Sequence, residues 1–371
     1  MHPIESLTNW LNGLTPANQF IVFSCIKIAI VFGILLTFVA YSVLAERKIS
    51  AWIQDRVGPN RVALPLIGSI PILGPFLTRL GIWQPMVDGL KSFLKEDFTP
   101  GHVRKVYFWL APAITMIPAL LTVAVIPFGS NIGGQHMVVA NLNVGILYSF
   151  GIVSLGVYGI VLAGYAANSK YPFLGGIRSS AQLISYEICM GMSVIGVFMI
   201  VGSLNLGDVI AYQTHTCWLI LKQPLGFVIF LVAAFAETNR LPFDMPECES
   251  ELVAGYNTEY SSMKFALFFM GEYANMIVSA GMMVTLFLGG WTLPFAGLDQ
   301  PATTVTMGIV SILIFLAKVI VLMGLFIWVR WMLPRFRYDQ LMNLGWQRFI
   351  PLTLANIFVT ALILWIIALK H

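Results

Sequence analysis

Charge is what this chain has least of. Charged residues fill 10% of its 371 positions, apolar residues fill 58%, and the mean hydropathy is +0.83. Water-soluble domains carry about 25% charged residues, so a soluble fold is excluded and a polytopic membrane protein is indicated. Cysteine is sparse as well. Cys25, Cys189, Cys217 and Cys248 form no CxxC pair and have no ligand-like spacing to histidine, which argues against an iron–sulfur cluster or a bound metal. His2, His102, His136, His215 and His371 are dispersed. No GxGxxG or GxxxxGK[ST] occurs, so the chain shows no nucleotide cradle of its own. The first 19 residues lack Lys and Arg, so a cleavable signal peptide is not expected. Internal repeats and low-complexity tracts are missing too, and the alternation of a membrane β-barrel is absent.

What is present is a series of long apolar runs. A helix needs about 20 apolar residues to cross ~30 Å of hydrocarbon. Eight stretches qualify, near 20–45, 106–127, 144–167, 181–202, 218–236, 263–290, 303–330 and 349–369. The fold class expected is therefore all-α, a single polytopic membrane domain over 1–371 with about eight transmembrane helices and amphipathic or looped segments between them. Lys and Arg set the direction. Segments 46–105, 168–180, 237–264 and 330–348 hold 17 of the 21 basic residues, against Lys222 and Lys370 on the opposite side. Basic loops stay in the cytoplasm, which puts both termini on the other side. Residues 46–105 then form a long cytoplasmic or interfacial segment. Within it 62–80 is apolar but interrupted by Pro65, Pro71 and Pro75, so it reads as re-entrant or interfacial rather than a ninth span.

The stretch 236–262 is the exception to the oiliness. Between 236 and 260 it gathers six of the 17 carboxylates, Glu237, Asp244, Glu247, Glu249, Glu251 and Glu259, around one cation, Arg240. A solvated loop is the ordinary reading of such a run. Here the acids alternate with Leu241, Phe243, Met245, Leu252 and Val253, so part of the segment should pack. Glu247, Glu249 and Glu251 would project together from extended backbone, and Pro242 and Pro246 resist helix before them. Crowding and burial both raise carboxylate pKa values, which suits groups that hold and release protons.

Other residues stand out within or beside the spans. Glu187 and Glu272 fall inside the fourth and sixth, where an ionisable group costs about 2.5–3.5 kcal/mol on insertion scales and marks a functional site. Lys27 and Lys318 also fall in spans, but long stems can reach an interface, so a structural role is expected. After the first span, "ERKISAWIQDRVGPNR" (46–61) has the spacing of an interfacial amphipathic helix, with Ile49, Trp52 and Ile53 opposite Lys48, Gln54, Asp55 and Arg56, broken at Gly58-Pro59. "GGIRSSAQ" (175–182) reads as a turn and then a helix start capped by Ser179 or Ser180, with tight backbone approach at Gly175 and Gly176 the other option. Arg178, Arg335 and Arg337 read as stop-transfer or docking residues.

These stretches, with "QPMVDGLKSFLKED" (84–97), "ANLN" (140–143), "NSKYPFLGGIRSSAQLISYE" (168–187), "YSSMKFALFFMGEY" (260–273) and "LPRFRYDQLMNLGW" (333–346), run in order along nearly the whole chain. Together they resemble the H subunit of bacterial proton-pumping NADH:quinone oxidoreductase, respiratory complex I, called subunit 1 in mitochondria. One departure is local: the family passes quickly from GPNR to an LQP-type stretch, whereas here apolar, proline-punctuated residues 62–83 intervene. The resemblance implies a non-redox subunit of a bacterial inner-membrane translocase, joining the other membrane-arm subunits to the quinone-site subunits of the peripheral arm. It implies that ubiquinone or menaquinone is the substrate and that flavin, iron–sulfur clusters and metals lie in other chains. It also implies no nucleic-acid partner. By the same resemblance Glu187, Glu237, Glu259 and Glu272 belong to a buried proton relay. Arg240, Asp244, Glu247, Glu249 and Glu251 belong to the quinone chamber and its coupling loop. Glu46, Arg47, Lys48, Gln54, Arg56 and Arg61 border the quinone entrance and the docked arm. The alternative within the superfamily is the equivalent subunit of a ferredoxin-using complex or membrane-bound hydrogenase. From other classes come an ion-coupled secondary transporter, against which the missing inverted repeat stands, and a structural anchor, which gains nothing from the insertion cost of Glu187 and Glu272.

Overall fold

The computed structural model describes residues 15–63, 73–132, 135–294, 300–302 and 304–370. The regular structure of the described chain is helical apart from a pair of two-residue strands, β1 (Asn131–Ile132) and β2 (Gln135–His136), paired antiparallel. The helices are α1 (Pro16–Ile53), α2 (Leu73–Leu80), α3 (Gln84–Leu94), α4 (Lys105–Thr122), α5 (Gly145–Ala166), α6 (Lys170–Val201) and α7 (Leu206–His215). They continue with α8 (Leu219–Lys222), α9 (Pro224–Glu237), α10 (Glu249–Leu252), α11 (Ser262–Phe287), α12 (Val305–Met332), α13 (Tyr338–Asn343) and α14 (Ile350–Lys370). A π-helical segment, Leu344–Phe349, joins α13 to α14.

Seven helices among the described residues are long and apolar enough to cross a membrane: α1, α4, α5, α6, α11, α12 and the joined α13–α14. The eighth expected span, 218–236, is instead four-residue α8 followed by fourteen-residue α9. Pro224 has no N–H to continue a helix from α8, and Gln223 before it lies outside the helical region at φ −131° and ψ 56°. Fourteen residues cover only about 21 Å. Yet α9 runs back antiparallel along α6, from Gln223 beside Gly196 to Ala236 bonded by Gln182. This broken segment therefore still returns the chain to the basic-loop side, and the number of passes stays even. Of the segment 62–80, residues 64–72 lie outside the described residues, and the remainder is largely the helix α2.

Two helices run through positions where the pattern suggested breaks. No interfacial helix separates from the first span, because α1 is continuous for 38 residues. Nothing between Gly33 and Gly58 breaks it, since that interval lacks Gly and Pro. It stops at Ile53, where Asp55 takes a left-handed φ of 55°. The helix is about 57 Å long, so it overruns a ~30 Å hydrocarbon layer. Similarly α6 starts at Lys170, so Gly175 and Gly176 are helical and neither Ser179 nor Ser180 caps it. The glycines serve close approach instead. A Cβ on Gly175 would sit 3.0 Å from the Pro246 carbonyl oxygen, and one on Gly176 would sit 3.3 Å from that of Ile160. Small residues at helix interfaces are the usual means of close packing in lipid.

The core forms around α11, in whose most apolar stretch 72% of the residues are buried, against 6% in that of α1. Phe230 of α9, Phe287 of α11, Phe326 of α12 and Tyr186 of α6 are almost wholly enclosed there. Far from the basic loops, Lys318 of α12 donates to the carbonyls of Leu288 (2.6 Å), Gly290 (3.0 Å) and Thr292 (2.6 Å), with its ammonium 4.7 Å from the Trp218 ring centre. It caps the end of α11, the structural role expected of it.

Candidate functional site

The acidic stretch is folded, not solvated. Gln182 of α6 is fully buried and donates to the carbonyls of Ala236 and Phe243, both at 2.7 Å, splinting the chain as it leaves α9. Phe243 packs on Phe336 with ring centres 5.4 Å apart, and Phe336 N donates to Pro242 O at 3.1 Å. Phe243, Met245 and Leu252 are buried, as the apolar interleaving predicts, whereas Val253 is exposed. Gly255 closes the loop with φ +52°, and a Cβ there would lie 1.6 Å from Pro246 O, so no other residue fits. The expected extended run of Glu247, Glu249 and Glu251 does not form, because Glu249–Leu252 makes a helical turn, α10.

Arg240 leaves this loop for the interior. Its side chain is 4% exposed, and its guanidinium lies between Glu46 of α1 (Nη1 to Oε2, 2.9 Å) and Glu272 of α11 (Nε to Oε1, 2.6 Å). The contact with Glu272 is an ion pair off the hydrogen-bond line, so Nε has no aligned acceptor. The guanidinium also stacks 4.2 Å from the Tyr273 ring centre, and Tyr273 donates its hydroxyl to Glu46 Oε2 at 2.7 Å. Arg330 of α12 donates to the other Glu46 oxygen. Two arginines and two carboxylates thus balance in a buried cluster that ties three spanning helices to the loop. Burial opposes the charge on Arg240, but Glu272, Tyr273 and Glu46 together outweigh it and hold the guanidinium protonated.

The cluster continues into a cavity of about 20 Å³ lined by Glu237, Glu247, Glu272, Asn239, Tyr256 and Asn275, among others. That volume holds about one water molecule, and the lining supplies the polar partners a water needs. Glu237 Oε2 is buried there with no hydrogen-bonding protein partner, and Glu187 is the acid that acts on it electrostatically. Asn257 Nδ2 donates to Glu247 Oε1 at 2.9 Å. Burial, reinforced by Glu247 and Glu272, holds the Tyr256 phenol well above its ordinary range, so it stays a neutral donor. At the loop's edge Asp244 accepts from Arg335 at 2.8 Å. Burial raises Asp244 above the usual carboxylate value even though Arg335 opposes it. Acids separated by one water are placed to exchange a proton.

A match to the NADH dehydrogenase family covers residues 26–361. The chain is 48% identical to an NADH-quinone oxidoreductase H subunit of Cytophaga hutchinsonii over 349 residues, covering 92% of this chain and 96% of that one. It is also 48% identical to an H subunit of the same enzyme from Geobacter metallireducens over 361 residues, covering 96% and 100%. To the H subunit of Flavobacterium psychrophilum it is 44% identical over 354 residues, covering 94% and 98%. This chain belongs to the H-subunit family. It is a multi-pass membrane subunit of a multi-subunit NADH-quinone oxidoreductase, equivalent to complex I subunit 1.

Within this H-subunit fold the sites read from the sequence are partly drawn together. Glu237, Glu247 and Glu272 share the cavity, Glu187 acts on Glu237 electrostatically from α6, and Arg240 and Asp244 adjoin them. Glu259 lies apart, 3.7 Å from His102 Nε2. Glu251 turns outward to Arg178 at 2.5 Å, with that guanidinium 5.4 Å from the Tyr338 ring centre. Glu249 lies in α10, its side chain outside what the structure describes. Of the residues read as bordering the entrance, Glu46 is buried in the Arg240 cluster. Arg47 pairs with Asp88 of α3 at 2.5 Å, and Lys48 donates to the carbonyls of Val57 (3.3 Å) and Arg79 (3.0 Å). Arg56 bonds Gln54, and Arg61 is exposed. Arg330, Tyr273, Tyr256 and Asn275 escaped the sequence reading. Tyr273 follows Glu272 directly, and a cation inside the last turn of a long apolar run was the signal for Arg330. Among the described residues no cluster of three or more His, Cys, Asp or Glu is arranged to hold a metal.

Proposed function

We propose that this protein forms part of the quinone chamber of its complex and couples quinone reduction to proton translocation, without carrying electrons itself. Its setting is a bacterial inner membrane with both termini on the periplasmic side. The face carrying the basic loops then meets the peripheral arm, and the substrate is a quinone. The relatives' names supply the reaction class. One observation carries the coupling: the charge-balanced cluster of Glu46, Arg240, Glu272 and Arg330 shares Glu272 with the cavity of Glu237 and Glu247. Reducing a quinone to quinol takes up two protons and changes the charge beside the acidic loop. A unit charge about 10 Å away, at an effective dielectric of ~20, is worth about 1.7 kcal/mol. That is slightly more than a tenfold change in proton affinity. Arg240, paired to two acids at once, transmits such a change between α1 and α11. Glu237, with a free oxygen on the cavity, passes it toward Glu187 on α6.

The test is labelling of the assembled complex with a short-tailed photoreactive quinone, followed by peptide mapping. Label within residues 236–262 or on the basic-loop end of α1 is expected, and excess native quinone should suppress it. Suppressible label confined to other subunits would remove the chamber assignment.

A further inference from the structure

The half of α1 away from the basic loops stands off the bundle. From Ile21 to Ile34 none of its residues is buried, and burial begins only at Leu35. Between this half and helices α11 and α12 lies a lateral wedge of about 290 Å³, walled by Ile30, Ile34, Phe38, Val278, Phe315 and Val319 with other apolar side chains. Among the described residues, Lys27 is the one charged residue in its lining. The Lys27 ammonium donates to His136 O at 3.0 Å, in the connection after α4, so it sits where the spans end.

Size and chemistry together select the occupant. A cavity of about 150 Å³ holds benzene, six carbons, so on that scale this wedge takes about a dozen. One turn of α-helix, ~10 Å across and ~5.4 Å long, encloses about 420 Å³ and does not fit. Inside the hydrocarbon layer the unbranched apolar groups at hand are lipid tails. The cation at the membrane edge of an otherwise apolar wedge is matched by a phosphate.

We propose that the wedge is a phospholipid site, with one acyl chain between α1 and α11–α12 and the phosphate of an anionic headgroup facing Lys27. Such a lipid completes the packing of α1, the helix that carries Glu46 into the buried cluster. The site is separate from the quinone reading and stands or falls without it.

The experiment uses the assembled complex in phosphatidylcholine vesicles doped with phosphatidylglycerol bearing a diazirine on its acyl chain. A parallel sample carries the same diazirine on phosphatidylcholine. Photolysis and peptide mapping should place the phosphatidylglycerol label on residues 27–38 and 277–281, about fivefold above the phosphatidylcholine label. Fivefold is the factor that ~1 kcal/mol per membrane-edge lysine makes. Lys27→Gln should abolish the preference and Lys27→Arg should keep it. Ile34→Trp, at an exposed helical position where folding tolerates the change, should lower both labels by blocking the wedge. The proposal is overturned by equal labelling from both lipids that Lys27→Gln leaves unchanged. It is overturned too if these peptides are labelled only by a diazirine-bearing isoprenoid quinone, or cross-link to a neighbouring protein in place of lipid.

Discussion

Replacing Arg240 with methionine keeps the apolar stem and removes the charge that Glu46 and Glu272 share. The buried set falls from neutral to one net negative charge, because Arg330 alone then faces two carboxylates. Removing one partner of a buried ion pair costs about 3–5 kcal/mol, mostly from the charge left behind. If the whole effect falls on unfolding, heat inactivation of the assembled complex accelerates by up to roughly 10²–10³-fold. Glu272→Gln added to Arg240→Met restores neutrality, so the double variant should recover about 1–3 kcal/mol relative to Arg240→Met, roughly a 5- to 150-fold slower inactivation. Arg240→Lys should fall between, since one ammonium lacks the planar fork that reaches two carboxylates at once. Inactivation rates of the three variants and Glu272→Gln close the thermodynamic cycle. If the Arg240→Met and Glu272→Gln effects simply add, the two groups are not coupled and the cluster is not a unit.

If the proposed topology holds, Cys217 is reachable by an impermeant thiol reagent only from the periplasmic side, and a cysteine replacing exposed Trp52 is reachable only from the cytoplasmic side. The reverse pattern, or both sites on one side, contradicts it. Asp244 carries a pH dependence whose sign follows from burial: its folded pKa is raised, so the folded chain holds this proton more tightly than the unfolded one. Its contribution is greatest below the ordinary carboxylate range and is lost as pH rises through the raised value. The thermal stability of wild type relative to Asp244→Asn should therefore decline with rising pH across that window, and a constant offset would refute it.

The spanning helices were legible because an apolar run is a local property of the chain, and the basic asymmetry is nearly as local. Where the reading slipped, one local signal was given two meanings. Gly175 and Gly176 resemble a turn in water, but in a membrane bundle they let α6 meet Pro246 and Ile160. The polar face after Glu46 resembles a separate interfacial helix, yet without a breaker before Gly58 the backbone simply continues. Gln223-Pro224 was a visible break inside the fifth apolar run, which hydropathy alone overrode. The acidic stretch announced a site through composition, but its geometry lay beyond sequence. Glu46 and Arg240 are 194 positions apart, and only the packing of α1 beside α11 brings them together. The placement of Glu251 on Arg178 and of Glu259 near His102 had no local signal at all.

The most direct measurement is proton pumping alongside native-quinone turnover in reconstituted, fully assembled complexes carrying Glu237→Gln or Glu272→Gln. Both residues line the one-water cavity, and each exchange keeps nearly the same shape while removing the titratable proton. Both activities are predicted to fall together, while NADH oxidation with an artificial acceptor in the peripheral arm persists. Pumping and quinone turnover both at wild-type levels in the two variants would show that this buried carboxylate chain is structural and carries no protons.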